Sequence, residues 1–114
     1  METISLTALA QEHLDKARSS NSGRSAHTVH GGHDHSLRQT LIALAAEQDL
    51  HEHEAPEEAT LQVIEGRVRL DAGDVSWEGA AGDLVVIPDA RHSLHALEDS
   101  AVLLTVMQPL SRNA

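Results

Sequence analysis

The chain has 114 residues, which is the length of one domain with a single packed core. It contains no cysteine, so disulfides, zinc-thiolate sites and thiol nucleophiles are excluded. Its formal net charge is −10, and Trp77 is the only residue among Trp, Tyr and Phe. Such a surface repels nucleic-acid phosphates and offers no set of rings for stacking bases. No apolar run approaches the roughly 20 residues of a membrane span, so neither nucleic acid nor membrane is an expected partner.

The N-terminal segment predicts a helix over residues 1–17, capped by Ser5 or Thr3. It has no basic stretch followed by an apolar one, so no secretory signal is predicted, and a chain without cysteine fits the reducing cytoplasm. Lys16, the single lysine, lies in this helix, which argues against Schiff-base chemistry. The apolar stripe of the helix consists of Leu6, Leu9, Ala10, Leu14 and Ala17.

A histidine-rich segment follows, with His27, His30, His33 and His35 around a pair of glycines. It predicts a second metal site or extra ligands for the first site; the alternative is a polar strand and loop with exposed imidazoles. The exposed alternative is favoured, although His33 and His35 have a spacing that suits a shared ion. The strand predicted after residue 36 separates both from the later histidines, so we expect them at the mouth of the barrel or on its surface. Residues 1–35 are therefore assigned to an N-terminal helix and extended segment, and 36–114 to a barrel domain.

From residue 37 onward the chain predicts short strands separated by turns. The predicted strands cover 37–46, 51–54, 60–64, 67–70, 75–78, 84–87, 93–96 and 102–107, although the alanines near 43–46 also tolerate a helix. Strands 60–64 and 67–70 are expected to pair as a hairpin, because Gly66 suits a tight turn. Alternation places Leu61, Val63, Leu94 and Ala96 inside and His95 outside. Short strands at regular spacing indicate an all-β antiparallel barrel or sandwich.

His51 and His53 stand two residues apart on an extended segment, so both side chains are expected on one face. His92, from a later strand, would bring a third imidazole to the same divalent metal ion. The alternative is a metal-free barrel in which the histidines hydrogen-bond internally, since buried imidazoles without partners are costly. Imidazole ligands suit Zn, Fe, Ni and Cu, and a carboxylate ligand shifts the preference towards Mn or Fe. The residues do not choose among these metals.

Two spaced motifs make this region similar to the cupin superfamily. The first family motif reads G-x5-H-x-H-x(3,4)-E-x6-G and the second G-x5-P-x-G-x2-H-x3-N. The matching residues are His51, His53 and Gly66 in the first, and Gly82, Pro88 and His92 in the second. The resemblance covers about residues 37–107. It implies an antiparallel jelly-roll barrel, here with a short N-terminal helix, and a divalent metal bound inside.

The glutamate ligand of the family has more than one candidate in this chain. Counted forward from the histidine pair, Glu57 and Glu58 both fit, whereas counting back from Gly66 leads to Ala59. Strand alternation turns Glu58 outward, so Glu57 is the preferred fourth metal ligand. Water and His35 are the alternatives, because catalytic metal sites commonly keep a solvent position.

Two functions follow from these expectations. The first is a metal-dependent enzyme, such as an oxygenase, isomerase or decarboxylase, that acts on a small polar or acidic molecule. The second is a non-catalytic module that binds a metal or small ligand, as a sensor would. No tyrosine, cysteine or barrel lysine can serve as an acid or base, so no catalytic residue is assigned. The cations near the barrel that could hold a carboxylate are Arg38, Arg67, Arg69 and Arg91.

A homodimer is expected as well. The resemblance implies it, since small cupins commonly pair through their sheets. The segment 25–30 contains the β-branched Thr28 and Val29 and could add a strand to a neighbouring subunit's sheet. Trp77 and the apolar stripe of the helix are further candidates for burial between subunits.

Overall fold

The computed structural model describes residues 1–53 and 58–108, with backbone alone for Glu52 and His53. In these ranges the chain forms one helix, α1 (Leu6–Ser19), followed by nine strands. The strands are β1 (Arg24–His30), β2 (Leu37–Leu44), β3 (Asp49–His53), β4 (Glu58–Glu65), β5 (Arg67–Ala72), β6 (Val75–Ala80), β7 (Leu84–Val86), β8 (His92–Ala96) and β9 (Ser100–Met107). The predicted strand over 37–46 is thus a strand rather than a helix, and it ends at Leu44.

The strands form two antiparallel sheets that pack face to face. One sheet has the order β1-β2-β9-β4-β7 and the other β3-β8-β5-β6. Their inner faces share a core of Leu44, Ala59, Leu61, Val63, Val68, Leu70, Ile87, Leu94, Ala96 and Val102, against which Trp77 packs partly buried. The antiparallel jelly-roll with a short N-terminal helix is therefore confirmed, and so are the four residues that alternation placed inside.

Helix α1 covers the outer face of the five-stranded sheet. It begins after Ser5, whose hydroxyl accepts a hydrogen bond from the Ala8 amide at 3.2 Å. Its buried residues Leu9, Ala10, Leu14 and Ala17 pack on Leu41, Ala43 and Ala101. Four of the five residues of the apolar stripe are consequently covered by the chain's own sheet, whereas Leu6 is partly exposed. Among the described residues, no helix is both long and apolar enough to cross a membrane.

The predicted hairpin between strands 60–64 and 67–70 is wrong. β4 pairs with β9 and β7, whereas β5 pairs with β6 and β8 in the other sheet. Gly66 (φ 87°) is the point at which the chain crosses between sheets. A Cβ atom there would overlap the Asp99 carbonyl oxygen and the Ser100 hydroxyl. Glycine is needed for this close crossing as well as for the positive φ.

The histidine-rich segment forms β1 and the turn into β2. β1 pairs antiparallel with β2 from Arg24 opposite Leu44 to His30 opposite Gln39. Gly31 (φ 139°) and Gly32 (φ 154°) begin the turn in a region of φ that L-residues rarely adopt. His33 and His35 are both exposed, as predicted.

Candidate functional site

His92 is the buried histidine of the predicted metal site. It begins β8 and is only 4 % exposed, on the same inward face as Leu94 and Ala96. Its Nδ1 atom lies 3.1 Å from the Ala90 carbonyl oxygen. Since a carbonyl oxygen only accepts hydrogen bonds, Nδ1 is the donor in this contact. Metal-binding histidines are typically oriented by such a hydrogen bond from their other nitrogen.

The second motif explains how His92 reaches this position. Gly82 (φ 95°) turns the chain into β7, and its amide donates to the Val63 carbonyl at 2.9 Å. The Ile87 amide then donates to the carbonyl of Ala59 on β4 at 2.9 Å. After Pro88, whose carbonyl accepts from the Ala90 amide at 2.8 Å, a tight turn leads into β8. The glycine and proline of the motif thus serve to deliver one histidine to the inner face.

A β-bulge in β3 interrupts the strict alternation of side chains that we expect for the two histidines of the first motif. Leu50 lies opposite Leu94 and His53 lies opposite His92, so β3 has one residue more than β8 between these pairs. Residues directly opposite each other in an antiparallel pair share a face. The bulge therefore gives the backbone of His53 a position opposite the inward-facing His92.

The other predicted ligands have different positions. His51 lies at the bulge and its side chain is exposed. Glu57 lies outside the described residues, and the alternative Glu58 is exposed at the start of β4. Among the side chains that the structure describes, no group of three or more His, Asp or Glu residues is arranged to hold a metal ion. Only the pairing of His53 with His92 brings two predicted ligands together in the described backbone.

The outer face of the four-stranded sheet carries a charged network that the sequence did not indicate. His95 lies on this face, as predicted, but its side chain is only 16 % exposed. Its Nδ1 lies 2.6 Å from an oxygen of Asp49, and its Nε2 lies 3.3 Å from an oxygen of Glu47. The two carboxylates contact opposite nitrogens of the ring, so they do not converge on one point. Glu47 and Asp49 reach His95 only through the pairing of β3 with β8, which no local motif signals.

The same outer face holds Asp71 in its ionised form. The pKa of Asp71 is lowered by a hydrogen bond from the Ser76 hydroxyl, at 2.7 Å, and by Arg69, whose Nε lies 3.1 Å from both carboxylate oxygens. Partial burial opposes this shift. The cation Arg69 is thereby engaged on the outside of the barrel, away from His92.

No protein-family model matches the chain, and no curated protein matches it significantly in sequence. Solved structures do match. A cupin superfamily protein from Desulfitobacterium hafniense superposes with a TM-score of 0.69 at 11 % identity, over 75 % of this chain and 78 % of that one. An RmlC-like cupin from Shewanella frigidimarina gives 0.67 at 17 % identity, over 82 % and 81 % of the two chains.

A third match is a conserved protein of unknown function from Streptococcus pyogenes, with a TM-score of 0.71 at 22 % identity over 81 % of this chain and 80 % of that one. At such identities the likeness concerns the fold rather than the chemistry. Two of these three proteins are named cupins. The chain therefore has the cupin fold, and the fold that its two motifs implied is confirmed.

Proposed function

We propose that this protein binds a divalent metal ion at the end of the barrel where His53 and His92 lie opposite each other. The observation that carries the proposal is His92 itself. It is buried on the inner face, and its Nδ1 contacts the Ala90 carbonyl, which is the orienting hydrogen bond typical of a histidine that binds a metal through Nε2. The backbone of β3 brings a second histidine directly opposite.

The remaining ligands are proposed from the motif. His51 is exposed at the bulge, so it would bind from the solvent side of the site. Glu57, or water in its place, would supply an oxygen ligand. A set of imidazoles with one carboxylate fits Zn, Fe, Mn, Ni and Cu. A bound ion of this kind would supply Lewis-acid chemistry to a small polar or acidic molecule.

The chain's own residues would orient these ligands and exclude water from one side of the site. The Ala90 carbonyl would orient the ring of His92 through its contact with Nδ1. The aliphatic core, including Leu94 and Ile87, lies behind it. A low local dielectric strengthens the interaction between an ion and its ligands.

Metal analysis of protein purified without a nickel column tests the proposal. The chain is stripped with a chelator, reloaded separately with each of the five metals, desalted, and analysed for elements. We expect about one ion per chain for at least one metal, and a loss of this ion in His92→Gln and in His53→Gln. The matched control is His95→Gln, on the same strand but on the opposite face, which should bind as the unmodified protein does.

Circular dichroism of each variant verifies that it is folded before its metal content is compared. If no metal is retained at near-stoichiometric amounts, the proposal is wrong. It is equally wrong if a folded His92→Gln variant retains the metal in full.

A further inference from the structure

A polar cavity of about 430 Å³ opens beside the turn that joins β1 to β2. Its lining consists of Thr28, Gly31, Gly32, His33, Arg38 and Gln108. These side chains supply a guanidinium, an imidazole, a hydroxyl and an amide, all of which can donate hydrogen bonds, and none is a carboxylate. The chain as a whole has a net charge of −10. The cavity is therefore lined by hydrogen-bond donors and carries a permanent positive charge, whereas the chain as a whole is negative.

Arg38 lies on the barrel-facing side of the five-stranded sheet. Along β2, Ile42 and Leu44 pack into the core between the sheets, while Leu41 and Ala43 pack under α1. Since side chains alternate along a strand, Arg38 continues the inward row beyond Ile42. It thus lies at the open end of the barrel and not beneath the helix.

Strand register brings two further donors to the same side. Thr28 lies opposite Thr40, which belongs to the same inward row. Arg38 lies opposite Val106, which packs against the core between the sheets, and Gln108 follows Val106 by two residues. The hydroxyl, guanidinium and amide therefore come from three neighbouring segments and face one space.

The charge of Arg38 is not neutralised within the described part of the chain. Arg67 lies 3.6 Å from Glu78, and Arg69 lies 3.1 Å from Asp71, both on the outer face of the other sheet. Arg38 forms no ion pair with any residue that the structure describes. An arginine beside a cavity, without a carboxylate partner among the described residues, has the chemistry needed to bind an external anion.

The turn is shaped to hold Arg38 in this place. A Cβ atom on Gly31 would approach Cγ of Arg38 to 3.0 Å and its Cα to 3.2 Å, so only glycine lets the turn lie this close to the arginine stem. The acidic residue of the turn, Asp34, is directed to His35, with 2.9 Å between its Oδ1 and the ring Nδ1. The carboxylate of Asp34 is thus engaged by the imidazole of His35, and neither residue is part of the cavity lining.

We infer that this cavity binds a small anion, a carboxylate or a phosphate, with Arg38 as its ion-pairing group. The guanidinium matches either anion through two parallel hydrogen bonds, and the Thr28 hydroxyl, the Gln108 amide and the His33 ring donate to the remaining oxygens. The cavity also lies at the same end of the barrel as His92, because Val106 is opposite both Arg38 and Ala59, and Ala59 binds Ile87 on the way to His92. The inference does not depend on a metal ion.

Titration of the full chain with malonate and, separately, with inorganic phosphate tests the inference. Ionic strength is held constant with sodium chloride, and binding is followed by calorimetry and by amide shifts of Gly31 and Gly32. We expect saturable binding of at least one of the two anions, and the anion that binds more tightly identifies the chemical class. Replacing the charge in Arg38→Gln should weaken binding about tenfold or more, since a hydrogen bond to a charged group contributes about 1.5–3 kcal/mol.

The matched control is Arg24→Gln, an exposed arginine at the opposite end of the same strand pair. It removes the same charge and should leave the affinity unchanged. Equal weakening by both substitutions would show a general charge effect and overturn the inference. So would the absence of saturable binding for both anions, or full binding by a folded Arg38→Gln variant. Chelator-treated protein should bind the anion equally well, which separates this result from that of the proposed metal site.

Discussion

The Nδ1 atom of His13 lies 2.6 Å from the hydroxyl oxygen of Ser25, and this contact joins α1 to β1. His13 is 5 % exposed, and its Nε2 is buried without a hydrogen-bond partner in the described part of the chain. Glu12 lies 3.6 Å from Nε2, and the ring centroid of His27 lies 5.5 Å from that of His13. The helix is thus docked through a buried, incompletely satisfied imidazole, which makes its docking sensitive to protonation.

The protein should become less stable as the pH falls, because His13 is protonated less readily in the folded chain than in the unfolded chain. Its pKa is lowered by burial and by Lys16, raised in part by Glu12, and lowered further by His27. The folded chain then binds fewer protons than the unfolded chain, whose histidine has the ordinary pKa of 6.5. The stabilisation is present above pH 6.5 and is lost as the pH falls through the folded pKa, by at most about 1.4 kcal/mol per pH unit for one proton.

Urea unfolding of the unmodified chain and of His13→Gln, at neutral and at mildly acidic pH, measures this dependence. The variant should lose less stability on acidification than the unmodified chain. His95→Gln serves as the control for removing a histidine elsewhere. An identical loss in His13→Gln and in the unmodified chain would assign the pH dependence to other groups.

Replacing Ser100 by alanine should destabilise the fold by about 1–3 kcal/mol. Ser100 is 1 % exposed, and its hydroxyl accepts from the Arg67 amide at 3.1 Å. The same hydroxyl lies 2.7 Å from the Glu98 carbonyl oxygen and 2.9 Å from that of Arg67. Without it, buried backbone groups at the crossing between sheets lose a partner. Chemical denaturation of Ser100→Ala beside the exposed Ser19→Ala checks this, and equal midpoints for the two would contradict it.

Alanine should be tolerated much less at Gly66 than at Gly73. Both glycines have positive φ, at 87° and 60°, so each substitution carries a backbone cost of about 1–2 kcal/mol. Only at Gly66 does the new Cβ meet other atoms, at Asp99 and Ser100, whereas at Gly73 there is open space. Thermal unfolding should show the larger loss for Gly66→Ala. Comparable losses would mean that the crossing can relax.

The expected homodimer should depend on the free edge of β1. β1 is an end strand of the five-stranded sheet, so one side of its backbone can pair with another chain. Light scattering at micromolar concentration should give twice the mass of the 12.3 kDa chain. A charge introduced by Ala26→Lys should shift the equilibrium towards monomer, because charged side chains disfavour edge pairing. The control is Val75→Lys, on an edge strand of the other sheet. If Val75→Lys dissociates the dimer instead, the interface lies at that edge. If the unmodified protein has the mass of a single chain, the prediction of a dimer is wrong.

Much of the fold could be predicted because its signals are local. The apolar spacing of α1, its Ser5 cap and the inward positions of Leu61 and Leu94 follow from periods of 3.6 and 2 residues, which depend only on neighbours in sequence. The two spaced motifs identified the fold for the same reason, since each describes a turn of defined length leading to a histidine. His92 was placed correctly on the inner face by this pattern.

The pairing partners of each strand and the side chains that meet at the site could not be predicted from local patterns. That β4 pairs with β9 and not with β5, that a bulge places the backbone of His53 opposite His92, and that Arg38 meets Thr28 and Gln108 all depend on residues distant in sequence. Register is decided when the two sheets close on a common core, because one face of every strand must be buried at once. The sequence by itself determined which faces point inward, and the tertiary structure decided which side chains meet there.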